Sequence, residues 1–377
     1  MISLPMARLT KLREGCWNLN GVKPSGLEEG EESKLPVLVS IYGDEWVQDA
    51  TSDPRYNLSY TVEQSILTKK PVIEIFLDYR MTAFGFIYSK EVAASQNTNL
   101  GFRDQCGFFR AAIMESGNSV GTPLNGMDRY QKCLCQVPFA RSPSLTYQGL
   151  QCFHIIDNLF VPWYSQQSIF QGRFARILIL LMSDSNEGVG FGPSGVNNDS
   201  QAVNQLTHSK RWVANTAQIE EMLNLCSNIS IMGSSYGWSN TIFPPKLELE
   251  YKQHTGIAGD LCMFALRRLL AQQISRYREN VYSYRWNAPN YNATSTIRIY
   301  NFSERPYVFG NTDPTTLIPL GNSAEDFQLS HLVSLPGIAQ WPKYSAQPKD
   351  FVFRKNRSYV EDDTDIKGVK YVNFVAR

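Results

Sequence analysis

Five short apolar runs along the chain predict the strands of a buried sheet. Continuous runs rich in branched and aromatic residues are typical of strands covered on both faces. The runs are Leu35–Tyr42 (LPVLVSIY), Pro71–Tyr79 (PVIEIFLDY), Phe109–Met114 (FRAAIM), Arg176–Met182 (RILILLM) and Val281–Trp286 (VYSYRW). Helical and loop segments separate them, which predicts an α/β fold with a mainly parallel sheet flanked by helices.

The clearest helical pattern lies between the last two runs. Asp260 is a suitable N-cap residue, and we expect the helix to begin there. Apolar residues then recur at helical spacing, with polar residues between them. The apolar positions are Leu261, Phe264, Leu269 and Ile274, and the polar ones include Arg267, Arg268 and Gln272. The segment is therefore predicted as an amphipathic helix.

The composition indicates a globular chain and excludes several classes of partner. Of the 377 residues, 43% are hydrophobic and 19% are charged, as in folded globular proteins. Lys and Arg number 36 against 35 Asp and Glu, and this balance leaves no basic excess to bind nucleic acid. The longest apolar run, Ile177–Met182, is far below the ~20 residues that span a bilayer. No linker or repeat divides the chain, so residues 1–377 are expected to form a single domain.

Cysteine spacing gives no support for a metal site. The chain has seven cysteines, an odd number, so at least one stays outside any internal disulfide. Cys133 and Cys135 are the only close pair, and this spacing without a nearby histidine pair is a poor zinc signal. We expect neither a metal nor a cofactor.

N-glycosylation sequons favour a secretory ancestry. They lie at Asn57, Asn198, Asn228, Asn292, Asn301 and Asn356. Such tripeptides matter only in a secreted chain. Residues 1–15 lack the apolar core of a signal peptide, so the localisation stays open.

Several long blocks resemble, in order, the type-B carboxylesterase/lipase family of α/β-hydrolases, especially its fungal secreted members. The blocks are LPVLVSIYG, PVIEIFLDYRMTAFGFIYSKEVAASQNTNLGFRDQ, FRAAIMESGNSVGTPLNG and ILILLMSDSNEGVGFGPSGV, followed by GDLCMFALRRLLAQQ, VYSYRWN, FQLSHL and WPKYSAQPKDFVFR. The resemblance covers nearly the whole chain. It implies an α/β-hydrolase fold and hydrolysis of carboxylic esters by a Ser–His–Glu triad.

The expected nucleophile is missing at the place where the resemblance puts it. The family carries a Gly-x-Ser-x-Gly elbow between the blocks matched here by Leu100–Gln105 and Phe108–Met114. Only Cys106 and Gly107 separate those blocks, whereas even one strand–helix–strand unit needs ~30 residues. The elbow strand is therefore expected to be absent, leaving an incomplete α/β-hydrolase fold.

Two serines match the bare elbow pattern elsewhere. Ser119 lies in GNSVG and Ser235 in GSSYG. Loop-forming residues follow both, where an elbow would be followed by a helix. Ser119 is the better alternative nucleophile of the two, but a serine in a turn explains both patterns.

The resemblance assigns the acid and the base of the triad to two positions. Glu187 follows the run Arg176–Met182 and matches the triad acid. Asn301 stands where the family has its histidine, and an amide cannot take up a proton near pH 7. The four histidines of the chain lie in other blocks, at positions 154, 208, 254 and 331.

The oxyanion loop and the cysteines also depart from the family pattern. Gly43 remains, but Asp44 and Glu45 replace the next glycines, adding side chains and negative charge where an oxyanion would form. The resemblance implies that the disulfide partner of Cys16 lies upstream of residue 1 and that the block with the partner of Cys133 is missing. These losses fall between well-preserved blocks, which suggests excised segments.

Three interpretations follow. The favoured one is a degenerate carboxylesterase/lipase-like protein without carboxylic ester hydrolase activity. Alternatively, the chain is a piece of a longer active ester hydrolase, or a non-catalytic binding module on an esterase scaffold. An ester substrate is expected only for an active form, and no residue pattern names a protein partner.

Two structural expectations accompany these interpretations. Glu187 should lie close to Asn301, and no serine hydroxyl should reach that pair within hydrogen-bond distance. Loss of a central strand should also leave unpaired strand edges and exposed apolar surface, and hence a poorly soluble chain.

Overall fold

The computed structural model describes residues 17–117, 154–225, 251–288, 299–310 and 341–363, apart from gaps at 29, 31–33, 48, 54, 106, 108, 193–194, 209–214, 278–279, 345–347 and 355–357. These residues form two compact units. The first unit holds the described parts of 17–107, 154–164 and 308–310, and the second those of 109–117, 165–307 and 341–363.

The first unit is built on a three-stranded sheet. Its strands are β1 (Leu19–Val22), β2 (Val37–Ser40) and β3 (Ile73–Leu77), in the order β1-β3-β2. β2 runs parallel to β3, and β1 runs antiparallel to it. Its helices are α1 (Leu58–Leu67), α2 (Thr82–Phe86), α3 (Lys90–Ala94) and α4 (Leu100–Asp104).

Aromatic side chains fill the core of the first unit and fix the loop after β2. The rings of Tyr42 and Tyr79 stack with their centroids 4.8 Å apart. The Tyr79 hydroxyl donates to the carbonyl oxygens of Tyr42 and Gly43, at 3.1 and 3.2 Å. These hydrogen bonds hold the backbone at Gly43 in place.

The second unit is built on a five-stranded sheet. Its strands are β4 (Ala111–Glu115), β5 (Leu178–Asp184), β6 (Val281–Trp286), β7 (Lys349–Phe353) and β8 (Tyr359–Asp362), hydrogen-bonded in that order. All neighbours are parallel except β7 and β8, which are antiparallel. The predicted mainly parallel α/β architecture is confirmed, and all five predicted runs overlap an observed strand.

Helices also belong to the second unit. They are α5 (Ser165–Phe170), α6 (Gly188–Phe191), α7 (Asp199–Thr207), α8 (Thr216–Leu225), α9 (Tyr251–Gly259), α10 (Ala265–Arg276) and the single turn α11 (Arg305–Val308). The α10 helix packs on β5 and β6 and buries Leu269, Leu270 and Ile274. Within the described ranges, no helix combines the length and the apolar composition needed to cross a bilayer.

The predicted helix start at Asp260 is wrong. The helix begins at Tyr251, and Asp260 opens a π-helical turn, Asp260–Phe264, that joins α9 to α10. Its carboxyl group is buried. Two glycines make residues 251–259 poor helix formers on their own. The segment is helical because Ile257 and Ala258 are fully buried in the core of this unit.

Two strands carry apolar side chains that remain exposed. On β2, the side chain of Val37 is 51% exposed, and on β4 that of Ile113 is 56% exposed. Among the described residues, β2 pairs only with β3, and β4 only with β5. Within the described part of the chain, each of these strands therefore lies at an edge of its sheet and carries an exposed apolar side chain.

Candidate functional site

The carboxyl ends of β4 and β5 bring the first polar residues of the site together. These strands are parallel neighbours with Glu115 opposite Met182. Ser116 follows β4 directly, and Glu187 lies three residues after β5. Because parallel strands end at the same edge of a sheet, the two side chains meet there. Ser116 adopts a φ of 46°, in the left-handed region, which marks a sharp turn out of the strand.

Glu187 is fully buried and accepts three hydrogen bonds. The Ser116 hydroxyl donates to Oε1 at 2.6 Å, and the Asp184 backbone N–H donates to the same atom at 2.7 Å. The Asn301 side-chain amide donates to Oε2 at 2.9 Å. Both carboxylate oxygens are thus satisfied by uncharged donors.

Backbone contacts on either side of Glu187 hold it in position. The N–H of Asn186 donates to the carbonyl of Ile299 at 2.9 Å, which ties the loop after β5 to the segment that carries Asn301. On the other side, a Cβ at Gly188 would lie 1.7 Å from the carbonyl oxygen of Thr255. Only glycine allows α6 to approach α9 so closely.

Burial decides the charge of Glu187. Removal from water raises the pKa of this carboxyl to about 7, and the nearby Glu304 carboxylate adds to the rise. The hydrogen bonds from Ser116, Asn301 and Asp184 oppose the rise because they favour the ionised form. Glu187 therefore carries a proton in acidic solution and loses it near neutral pH.

Two more buried carboxyl groups, those of Asp184 and Glu304, and the partly buried Glu115 belong to the same cluster as Glu187. Burial and the charge of Glu304 raise the pKa of Glu115 to about 8, although the Tyr284 hydroxyl donates to it at 3.0 Å. Burial also raises the pKa of Asp184 well above its ordinary value, as do the charges of Glu304 and Glu187. These groups cannot all ionise together at low cost, so the cluster holds protons at neutral pH.

The expectation that no serine hydroxyl would reach Glu187 is wrong, whereas the expected proximity of Glu187 and Asn301 is confirmed. Glu187 and Asn301 are hydrogen-bonded, as the order of the blocks predicted, but Ser116 also reaches Glu187. Ser116 is 9% exposed, and its hydroxyl also lies 3.5 Å from the carboxylate of Asp184. The site thus combines a serine, a carboxyl group and an amide.

None of the described histidines hydrogen-bonds to Glu187. Burial lowers the pKa of both His154, in the first unit, and His254, in the second, to about 4. The exposed His208 lies on α7's C-terminal side, with Nδ1 2.7 Å from the carbonyl oxygen of Asn204. His331 lies outside the described residues.

The segment after β2 retains the backbone shape of a glycine loop. Gly43 is exposed, and a Cβ there would meet nothing within 4 Å. Glu45 and Trp46 both adopt left-handed conformations, with φ of 55° and 61°. Side chains make this region costly, by about 1–2 kcal/mol per residue. Glu45 therefore occupies a conformation in which glycine would be favoured.

Several candidates fall outside the described residues, and others were missed by the sequence. Ser119, Ser235, Cys16 and the pair Cys133 and Cys135 lie outside the described ranges. The missed members of the site are Glu115, Ser116, Asp184, Tyr284 and Glu304. For Glu115, Ser116 and Asp184 the signal was position, since polar residues at the ends of neighbouring parallel strands meet at one sheet edge. Tyr284 lies within β6 and Glu304 near α11, so this signal does not identify them. Among the described residues, no group of three or more His, Cys, Asp or Glu side chains is arranged to hold a metal ion.

Comparison with known proteins agrees with this architecture. Residues 3–122 match the family model described as the carboxylesterase family. The inactive carboxylesterase-like protein VdtD of Byssochlamys spectabilis is 33% identical over 160 residues, which cover 42% of this chain and 25% of that protein. Secreted lipase 1 of Botryotinia fuckeliana is 22% identical over 88% of this chain and 71% of the lipase.

The chain spans only part of the length of these relatives. It spans less than two thirds of several fungal lipases, for example 60% of lipase 2 of Geotrichum candidum. The crystal structure of EstA from Aspergillus niger superposes on 96% of this chain and 83% of its own, with a TM-score of 0.72 and 16% identity. The fold is therefore that of the α/β-hydrolases, and the match of residues 3–122 together with the fungal lipase relatives supports membership of the type-B carboxylesterase/lipase family.

Proposed function

We propose that this chain is a carboxylesterase-fold protein without carboxylic ester hydrolase activity. The observation that supports this most directly is the contact between Asn301 and Glu187, at 2.9 Å. In this proposal, the Asn301 amide takes the place beside Glu187 at which a triad needs an imidazole. An amide nitrogen donates but does not take up a proton near pH 7, so the contact preserves geometry without a general base.

Ser116 does not replace the missing nucleophile. Its hydroxyl points at Glu187, 2.6 Å away, and is surrounded by buried carboxyl groups. The serine is only 9% exposed, so an ester could hardly reach its oxygen. No described imidazole contacts the hydroxyl, so Ser116 acts as a hydrogen-bond donor to Glu187 and lacks the adjacent base that activates a nucleophilic serine.

The spacing between α4 and β4 supports the absence of an elbow. α4 ends at Asp104 and β4 begins at Ala111, so six residues connect them. A strand, a sharp turn and a following helix do not fit in that length. The exposed edge of β4 among the described residues is consistent with a lost neighbour.

The strained loop after β2 adds a further defect. An oxyanion hole needs backbone N–H groups that can approach the substrate oxygen. Glu45 brings a carboxylate into that loop, and its left-handed φ costs stability without helping binding. A relative of this chain is itself named as an inactive carboxylesterase-like protein.

An esterase assay with an active-site label tests this proposal. The purified chain is incubated with a short-chain aryl ester and separately with a serine-reactive phosphonate, beside the Ser116→Ala variant and an active fungal lipase. We expect turnover no higher than that of heat-denatured protein and no stoichiometric labelling. Asn301→His alone should restore nothing, because an imidazole at 301 would still have no elbow serine to activate. Turnover with labelling of a single serine would refute the proposal, and its loss in Ser116→Ala would locate the nucleophile.

A further inference from the structure

The asparagine beside Glu187 also belongs to a glycosylation sequon. Asn301, Phe302 and Ser303 form the tripeptide Asn-x-Ser. In the folded chain Asn301 is 8% exposed and Ser303 is fully buried. Asn198, in another sequon, is exposed and caps α7 through its side-chain oxygen. In the folded chain, therefore, Asn198 is accessible to a glycosylating enzyme and Asn301 is not.

Oligosaccharide transfer would act on the same nitrogen that contacts Glu187. The side-chain amide nitrogen attacks the anomeric carbon of a lipid-pyrophosphate-linked oligosaccharide. A bond forms between that carbon and nitrogen, the bond from carbon to pyrophosphate oxygen breaks, the amide loses one proton, and the lipid pyrophosphate leaves. The acceptor in this reaction is Nδ2 of Asn301, which donates to Glu187 Oε2 at 2.9 Å.

We propose that Asn301 is a conditional glycosylation acceptor, and that glycan attachment there and formation of the buried site around Glu187 exclude each other. In a chain that enters a secretory compartment, transfer to Asn301 before folding prevents the second unit from closing around this residue. A chain that folds first keeps Asn301 unmodified. The inference holds whether or not the chain hydrolyses esters.

Glycan attachment and site formation exclude each other mainly because Asn301 is buried, and only to a lesser degree because its amide loses one hydrogen atom. A glycosylated amide retains one N–H, which could still donate to Glu187. The sugar, however, would have to fit where Asn301 has almost no exposed surface, beside the buried Glu304 and Arg305. Burying a hydroxyl group without a hydrogen-bond partner is unfavourable, and each sugar carries several hydroxyl groups. The glycan would therefore keep Asn301 at the surface and the site open.

Two serine variants separate this effect from glycosylation in general. Ser303→Ala removes the sequon at Asn301 and leaves Asn301 itself in place. The Ser303 hydroxyl makes no hydrogen bond among the described residues, so alanine should be tolerated there. Ser200→Ala removes the sequon at Asn198, on the exposed first turn of α7, and serves as the matched control.

The test expresses the full chain behind a cleavable secretory leader in yeast. Glycan occupancy is measured by mass spectrometry after enzymatic deglycosylation, in the soluble protease-resistant fraction and in the aggregated fraction. We expect glycan at Asn198 in both fractions and at Asn301 only in the aggregated one. Ser303→Ala should raise the soluble yield severalfold, and Ser200→Ala should not.

Two outcomes would overturn the inference. One is soluble, protease-resistant protein with a glycan on Asn301. The other is an equal soluble yield for Ser303→Ala and the unaltered chain, whether because Asn301 is never modified or because its modification has no effect on folding.

Discussion

The buried carboxyl group of Glu187 should make the stability of the second unit depend on pH, and Glu187→Gln should reduce that dependence. Glutamine keeps Oε1 as the acceptor for the Ser116 hydroxyl and the Asp184 N–H. Its amide nitrogen replaces Oε2, and the Asn301 amide can rotate so that its oxygen faces the new donor. The variant thus removes the titrating group while preserving the hydrogen bonds.

The sign and size of the effect follow from the raised pKa. Burial moves the pKa of Glu187 from 4.5 to about 7, so the folded chain holds a proton that the unfolded chain has released. The resulting stability is complete below pH 4.5 and is lost as the pH rises through about 7. At about 1.4 kcal/mol per pKa unit, the loss is on the order of 3 kcal/mol. Glu115 and Asp260, whose pKa values are also raised by burial, act in the same direction and remain in the variant.

Urea unfolding at several pH values measures this difference. The soluble fraction, prepared at pH 5, is titrated with urea at pH 5, 6.5 and 8.5, with tryptophan fluorescence as the signal. Two of the seven tryptophans, Trp286 and Trp341, lie in the described part of the second unit. We expect the unaltered chain to lose about 3 kcal/mol more than Glu187→Gln between pH 5 and 8.5. Glu220→Gln, at an exposed position of α8, should follow the unaltered chain. Equal pH dependence in the chain with and without Glu187 would show that this carboxyl is not held protonated.

Three further predictions concern stability and solubility. Lys69 follows α1 with a φ of 57°, so Lys69→Gly should raise the free energy of unfolding by about 1 kcal/mol in urea titrations, whereas Lys70→Gly should not. The buried Arg267 guanidinium donates to both oxygens of Asp350, at 2.6 and 2.7 Å, so Asp350→Asn should cost about 3–5 kcal/mol and lower the melting temperature. Because apolar strand edges are exposed, the expressed chain should be poorly soluble and should bind a hydrophobic dye, and Ile113→Thr should weaken that binding. A highly soluble chain with a sharp, cooperative melt and no dye binding would contradict the last prediction.

Five of the eight described strands could be predicted from the sequence because the signal is local, whereas β1, β7 and β8 were not predicted. A run such as Arg176–Met182 is apolar at successive positions. This pattern is typical of a central parallel strand, since such a strand is buried on both of its faces. Four of the five runs differ from the observed strands by one or two residues at their ends, and Val281–Trp286 has the same bounds in both. The proximity of Glu187 and Asn301 also followed from block order, since each block occupies a fixed place in the fold.

Tertiary structure alone decided the start of the long helix and the membership of the site. Residues 251–259 are helical because they are packed in the core, where burial outweighs the low helix propensity of their glycines. Ser116 and Asn301 lie 71 and 114 residues from Glu187 in sequence. No local pattern encodes contacts over such separations, and the pKa of Glu187 depends on how fully those contacts exclude water. The sequence therefore determined which residue types are available at the strand ends, and folding determined which of them share a buried site and hold its proton.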